Sequence, residues 1–140
     1  MFMTFEWDPE HRRFLEERKW TVLATGRRDG TPQQSLVGYS VDDEGRMLVS
    51  LVSSSAKWTN IVRRPEVCCT VVDDTTHLVV YGEAEGIDAD PLRAELTAEI
   101  FSVVLGQERA DPKSLVGMLD KQGRVVVRIT PSKTLLQQWP

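Results

Sequence analysis

Along the chain the hydrophobic positions switch between helical and alternating spacing, and each switch marks an element. Residues 9–18 (PEHRRFLEER) follow Asp8, a residue type that caps helices, and keep Phe14 and Leu15 to one side while the charges face outward. That predicts a short first helix. Residues 20–25 (WTVLAT) are β-branched and apolar, RRDGT has turn chemistry, and within 33–41 the positions Ser35, Val37, Tyr39 and Val41 share a face. These read as two strands joined in a hairpin. The turn DDEG leads to a third strand over 47–52 (MLVSLV), after which Ser54 or Ser55 caps a helix that runs to Arg64 and is ended by Pro65. Residues 67–72 and 78–87 read as two more strands around the turn DDTT, with Gly82 and Gly86 marking bulges or close backbone approaches. Asp90 as cap, Pro91 at the first helical position and apolar residues at Leu92, Leu96, Ile100 and Val103/Val104 predict a helix over 90–105. Asp111-Pro112 repeats that opening before Leu115, Met118 and Leu119. A sixth strand covers 124–129 (RVVVRI), and 131–140 is expected to be a tail ending in Trp139.

Closely spaced, mostly antiparallel strands interrupted by short helices predict a mainly β protein: a small β-barrel of six or more strands with helices packed outside. The length of 140 residues fits one domain over 1–140. Hydrophobic residues at 41% and charged residues at 27% are ordinary for a globular chain, and no apolar run approaches the roughly 18 residues of a membrane span. Residues 1–10 carry acids and aromatics and lack a basic region followed by an apolar stretch, so no secretory signal is expected and the reading is cytoplasmic. A formal charge of −4 argues against a broad nucleic-acid footprint. Cys68 and Cys69 are adjacent in an apolar run where alternation points them to opposite faces, which speaks against metal ligation and a disulfide and predicts two buried free thiols.

There is no GxGxxG after a strand, no Walker loop, no HExxH, no GxSxG and no CxxC pair. His11 and His77 have no recognisable partners and are expected to be structural or solvated. The strand-to-helix corner SSSAKWTNIVRRP, residues 53–65, is different. A helix N-terminus presents unpaired N–H groups and a partial positive charge, and Ser53, Ser54 and Ser55 add hydroxyls beside it. Lys57 in the first turn opposes the helix dipole unless an anion balances it, and Asn60 lies three residues on, on the same side. Taken alone, the corner also fits a plain helix cap with a solvated lysine.

An ordered set of short motifs extends beyond it: Ala24-Thr25 ending the first strand, Asp29-Gly30 with Pro32, then Lys57, Asn60 and Arg63-Arg64-Pro65 as K-x-x-N-x-x-R-x-P, then Gly82-Glu83-Ala84. In this order the chain resembles the flavin and deazaflavin oxidoreductases of the pyridoxamine-5′-phosphate-oxidase-like split-barrel superfamily, over most of its length. The resemblance implies a split β-barrel and a cofactor phosphate held by Ser55, Lys57 and Asn60. It implies a tricyclic ring lying along the second and third strands, lined by Gln33, Ser35, Ser50 and Ser53. It also implies a homodimer with cofactor sites at the subunit boundary, which Trp139 and the strand faces are expected to help close. The compact K-x-x-N helix is most similar to the group that uses the deazaflavin coenzyme F420 to reduce conjugated small molecules, with FMN as the alternative cofactor. True pyridoxamine-phosphate oxidases resemble the chain only in the barrel. Hydride chemistry belongs to such a cofactor, so no general acid is nominated; Tyr39 and Tyr81 are the hydroxyls available, and both are expected to serve packing. The other reading is a non-catalytic module that sequesters a flavin-like or tetrapyrrole-like ligand.

Overall fold

The computed structural model describes residues 5–140; of the N-terminal stretch read above for a secretory signal, residues 1–4 lie outside the described residues. The elements run α1 (Pro9–Glu16), β1 (Trp20–Gly26), β2 (Pro32–Gly38), β3 (Ser40–Val41), β4 (Met47–Val52), α2 (Ala56–Arg63), β5 (Glu66–Asp73), β6 (Thr76–Ile87), α3 (Leu92–Leu105), α4 (Pro112–Gln122) and β7 (Arg124–Gln138). The strands form one seven-stranded antiparallel sheet in the order β2-β1-β5-β6-β7-β4-β3. This is the mainly β architecture expected from the pattern, in the split-barrel form that the family resemblance implies.

The segment read as one strand over 33–41 is two. β2 pairs with β1 and β3 pairs with β4, so the two outer strands of the sheet are successive pieces of one extended segment. Tyr39 sits at the break, fully buried, with its hydroxyl donating to the Leu15 carbonyl oxygen at 2.5 Å. Burying that ring turns the chain from one edge of the sheet to the other and curls the sheet over its own core. Between β2 and β4 no ladder forms, and this is the split.

The expected tail is also a correction. Residues 131–138 continue β7 against the first half of β6, and the Trp139 N–H donates to the Thr75 carbonyl. Pro131 does not stop the strand because the register shifts between Tyr81 and Gly82, and a bulge is where a proline in a sheet is tolerated. Gly82 is needed there, since a Cβ would stand 2.6 Å from the Thr130 carbonyl oxygen. The second glycine of β6 serves a close approach of another kind: a Cβ on Gly86 would stand 2.7 Å from Cη2 of Trp58.

The main core lies inside the curl and includes Leu15, Leu23, Tyr39, Val49, Leu51, Ile61, Cys69, Leu78 and Val127. A smaller cluster of Leu48, Ile87, Ile100 and Val126 lies between the sheet and α3. α3 is rotated from its expected stripe. Its buried residues are Arg93, Ala94, Thr97, Ala98 and Ile100, while Leu92 and Val103 are exposed. The cause is Arg93, whose guanidinium is drawn inward by Asp90 and Asp120 at 2.7 Å each. The helix starts at Leu92 rather than at Pro91, yet the Asp90 carboxylate still accepts from the Ala94 N–H at 3.0 Å.

Cys68 and Cys69 are free and on opposite faces, as alternation predicted, but only Cys69 is buried; Cys68 is half-buried on the outer face. Burial pushes the Cys69 thiol up to about 12. No helix of the described residues is long and apolar enough to cross a membrane, and among the described residues no group of His, Cys, Asp and Glu is placed to hold a metal ion.

Candidate functional site

β4 delivers the chain to the barrel end at Val52, and three serines follow. The Ser53 N–H donates to the Gly123 carbonyl at 2.8 Å, which anchors this corner to the turn before β7. Ser53 and Ser54 are exposed. Ser55 adopts extended geometry as the N-cap of α2 and its hydroxyl accepts from the Trp58 N–H at 3.3 Å, the ordinary capping bond. Trp58 packs against the core and is backed by Gly86 of β6, fixing the roll of the helix.

That roll sends Lys57 toward β2. Its Nζ lies 3.4 Å from the Ser35 hydroxyl, and no carboxylate pairs with it among the described residues. From Ser35 a continuous hydrogen-bonded chain runs inward. Gln33 Nε2 donates to Ser35 Oγ at 2.8 Å, the Thr25 hydroxyl donates to Gln33 Oε1 at 3.1 Å, and Asn60 Nδ2 donates to Thr25 Oγ1 at 3.1 Å. Arg63 Nη2 closes the chain by donating to Asn60 Oδ1 at 3.1 Å and to the Gly26 carbonyl at 2.7 Å. One helix is thus tied to two strands through polar atoms alone.

Of the residues expected at a cofactor site, Gln33, Ser35, Lys57 and Asn60 are therefore joined, with Ser55 capping the same helix and Ser53 beside it. Asn60 is buried, 5% exposed, with both ends of its amide engaged inside the protein, so it positions the corner from behind. Ser50 lies apart. Its neighbours Val49 and Leu51 point into the main core, and its hydroxyl accepts from Arg124 Nη1 at 3.2 Å on the α3 side of the sheet. There Ser50 and Gly38, from the strands flanking the split, join Trp20, Phe101 and Arg124 around a cleft of about 270 Å³.

Thr25 and Arg63 are the members that sequence reasoning did not assign to the site. Both were in view, as the end of the first strand and the last basic position of K-x-x-N-x-x-R. A spacing of three along a helix puts Arg63 beside Asn60, and that spacing is the signal that identifies it. Tyr39 does serve packing: burial raises its phenol far above the ordinary value, and its proton is committed to Leu15. Tyr81 is exposed on the outer sheet face. His11 is held by Thr134 Oγ1 at 2.8 Å from Nδ1.

The donor set at the corner suits a phosphate. Exposed hydroxyls, the N–H groups of a helix's first turn and an ammonium without a counter-carboxylate are all donors, and no competing acceptor charge is paired with the lysine.

No curated protein matches the sequence. Among solved structures, a conserved hypothetical protein of Mycobacterium tuberculosis superposes with a TM-score of 0.78 at 22% identity, covering 96% of this chain and 86% of that one. A structure described as an F420 reductase gives 0.70 at 24% identity over 92% of this chain and 98% of its own. HutZ, the heme storage protein of Vibrio cholerae, also gives 0.70, at 20% identity over 96% and 95%. At these identities the likeness is one of fold. The family model described as pyridoxamine 5′-phosphate oxidase matches residues 7–138, nearly the whole described chain, and the protein belongs to that family.

Proposed function

We propose that the protein is an oxidoreductase that uses the deazaflavin coenzyme F420, with FMN as the alternative, to reduce a conjugated small molecule. The observation that carries this reading is Lys57: a half-buried ammonium in the first turn of α2, bonded among the described residues only to the Ser35 hydroxyl, on a helix that follows two exposed serines. Its charge and the helix N-terminus would hold the cofactor phosphate with Ser55 and Ser53, while Asn60 fixes the helix from inside. Gln33, Ser35 and Ser53 are the positions that would line the ring, while Ser50, turned to the α3 side of the sheet, stands apart from them. When bound, such a cofactor supplies hydride transfer. The chain contributes orientation: Thr25 holds the Gln33 amide so that its Nε2 is presented at Ser35, and the packed Trp58 keeps the corner closed from the core side. No side chain is assigned a proton.

The family match and the fold likeness to an F420 reductase support this reading. An equal likeness to a heme storage protein supports a second one, a module that binds a flavin-like or tetrapyrrole-like ligand without turnover. Absorbance spectra of the protein after incubation with F420 or FMN and removal of free ligand separate the cofactors. Retained F420, with its absorbance changing only when an enone or quinone acceptor is added, is the expected result. Retained FMN with oxygen-dependent turnover overturns the F420 assignment, and retention without turnover on any acceptor favours the binding module.

We further propose that the chain pairs with a second copy through the outer face of the sheet. α3 covers that face over β3, β4 and β7 and leaves the rest open, where Trp20 and Leu36 are 50% and 67% exposed and Val72 and Tyr81 are exposed too, with Trp139 at 75% beyond the end of β7. An apolar area of that kind is ordinary for an obligate dimer and unusual on a monomer. Sedimentation at micromolar concentration should give twice the 15.8 kDa chain mass, and a monomer would refute it.

A further inference from the structure

The sequence contains two arginine pairs, Arg27-Arg28 in the turn between β1 and β2 and Arg63-Arg64 at the end of α2, and the fold sets them against each other. Arg63 donates to the carbonyl of Gly26, the last residue of β1, at 2.7 Å. Arg64 lies against the same residue, with its Cδ and Nη1 3.7 Å from where a Gly26 Cβ would stand. None of the four guanidinium groups pairs with a carboxylate among the described residues, whereas Arg12, Arg18, Arg46, Arg93, Arg109 and Arg128 each do. Asp29, the one acid in the turn, accepts from the Thr31 N–H at 3.0 Å and the Thr31 hydroxyl at 2.6 Å, and its charge acts on Arg27 without a direct ion pair.

Four arginines beside a single carboxylate leave an excess of like charge, and an acidic chain of net charge −4 has carboxylates available elsewhere to offset it. The dipole of α2 accounts for Arg63 and Arg64 at its C-terminal end but not for Arg27 and Arg28, which lie in a turn. One arginine of each pair, Arg28 and Arg63, lines a cleft of about 300 Å³ together with Trp58, Thr59 and Val62. Val62 is 65% exposed on its rim, and the Trp58 indole is backed by Gly86 and cannot retreat.

We propose that this cleft is a binding site for a compact polyanion carrying two or more phosphate or carboxylate groups, gripped by Arg28 and Arg63 and walled by Trp58. It is distinct from the Lys57 corner: six residues along a helix is a rise of about 9 Å, and Lys57 points to β2 instead. The two are connected through Asn60, which touches Arg63 at one end and, through Thr25 and Gln33, the Ser35 partner of Lys57 at the other. The proposal does not depend on the cofactor reading.

Calorimetric titration of the full chain with pyrophosphate and, separately, with citrate, at constant ionic strength, tests it, with tryptophan fluorescence as a report from Trp58. A saturable component of one anion per chain is expected at the cleft, apart from any binding at the Lys57 corner; Arg28→Gln, whose side chain makes no hydrogen bond that the fold needs, weakens this component about tenfold, and it persists in Lys57→Ala. Tighter binding of pyrophosphate would assign the site to phosphates and tighter binding of citrate to carboxylates. No saturable binding of either probe, or equal affinity in Arg28→Gln, overturns the proposal. Loss of binding in Lys57→Ala overturns it too, because it places the anion at the other end of α2.

Discussion

α2 and α3 begin alike and resolve the same problem differently. Each carries a cation as its second residue, Lys57 in α2 and Arg93 in α3, at the end where the helix dipole disfavours positive charge. At α3 the chain supplies the balance itself. Asp90 and Asp120 accept from Arg93, the Arg124 carbonyl takes a further bond at 3.2 Å, and the guanidinium is buried. At α2 the chain supplies one hydroxyl at 3.4 Å and leaves the ammonium half-buried without a carboxylate. Where a fold neutralises its own charge, the cation is a clamp between elements. Where it builds a polar backing behind a cation and stops, as at Lys57, the phosphate of the proposed cofactor would supply the missing negative charge.

The largest effect should come from breaking the clamp. Arg93→Ala removes charge-assisted bonds to two carboxylates and a carbonyl, and is expected to cost about 2–4 kcal/mol of stability. Chemical denaturation measures that, and a loss indistinguishable from an exposed-site substitution would show the clamp to be idle. Cofactor affinity should stay within about twofold, since the α2 corner shares no partner with Arg93.

Asn60→Ala blurs the distinction from the other side. Asn60 is buried, so truncation strands Thr25 and Arg63 partners and should cost about 1–3 kcal/mol while also loosening the Gln33–Ser35 chain. Stability and cofactor affinity should therefore fall together. Affinity falling alone would make Asn60 a direct ligand.

A third, smaller difference is in acid. The Arg93 hydrogen bond holds the Asp90 carboxyl below its ordinary value. A carboxylate depressed in the folded state contributes stability that is complete above its unfolded pKa, about 3.9, and is lost as pH falls through the folded value. Thermal melts of wild type and Asp90→Asn should thus differ at neutral pH and converge below about pH 4. A gap constant with pH would remove the ion pair as its cause. Among the described residues no carboxylate pairs with Lys57 at the α2 corner to titrate in this way.

How far the sequence could be read follows from the same division. Local chemistry was legible: Asp8, Ser55 and Asp111 cap the helices their residue types announced, and Gly82 and Gly86 mark a bulge and a close approach. What failed was decided by distant partners. Tyr39 breaks a strand because Leu15, far away in the chain, takes its hydroxyl, and β7 passes Pro131 because β6 offers a bulge at that register. The rotation of α3 depends on Asp120, which nothing near Arg93 in sequence reveals. At the site, K-x-x-N-x-x-R gave the helix residues, but the burial of Asn60 rests on Thr25 of β1, and the sheet alternation that turns Ser50 toward Arg124 is set by which face α3 covers.

The most direct measurement is fluorescence titration of wild type and Lys57→Ala with F420 and with FMN, alongside their unfolding curves. Because Lys57 makes no ion pair among the described residues, its removal should change stability by no more than about 0.5 kcal/mol. Its loss from a phosphate contact should weaken binding of the preferred cofactor by roughly tenfold to a hundredfold. Equal affinity in the two proteins would mean that the unbalanced charge at the start of α2 is not completed by a ligand.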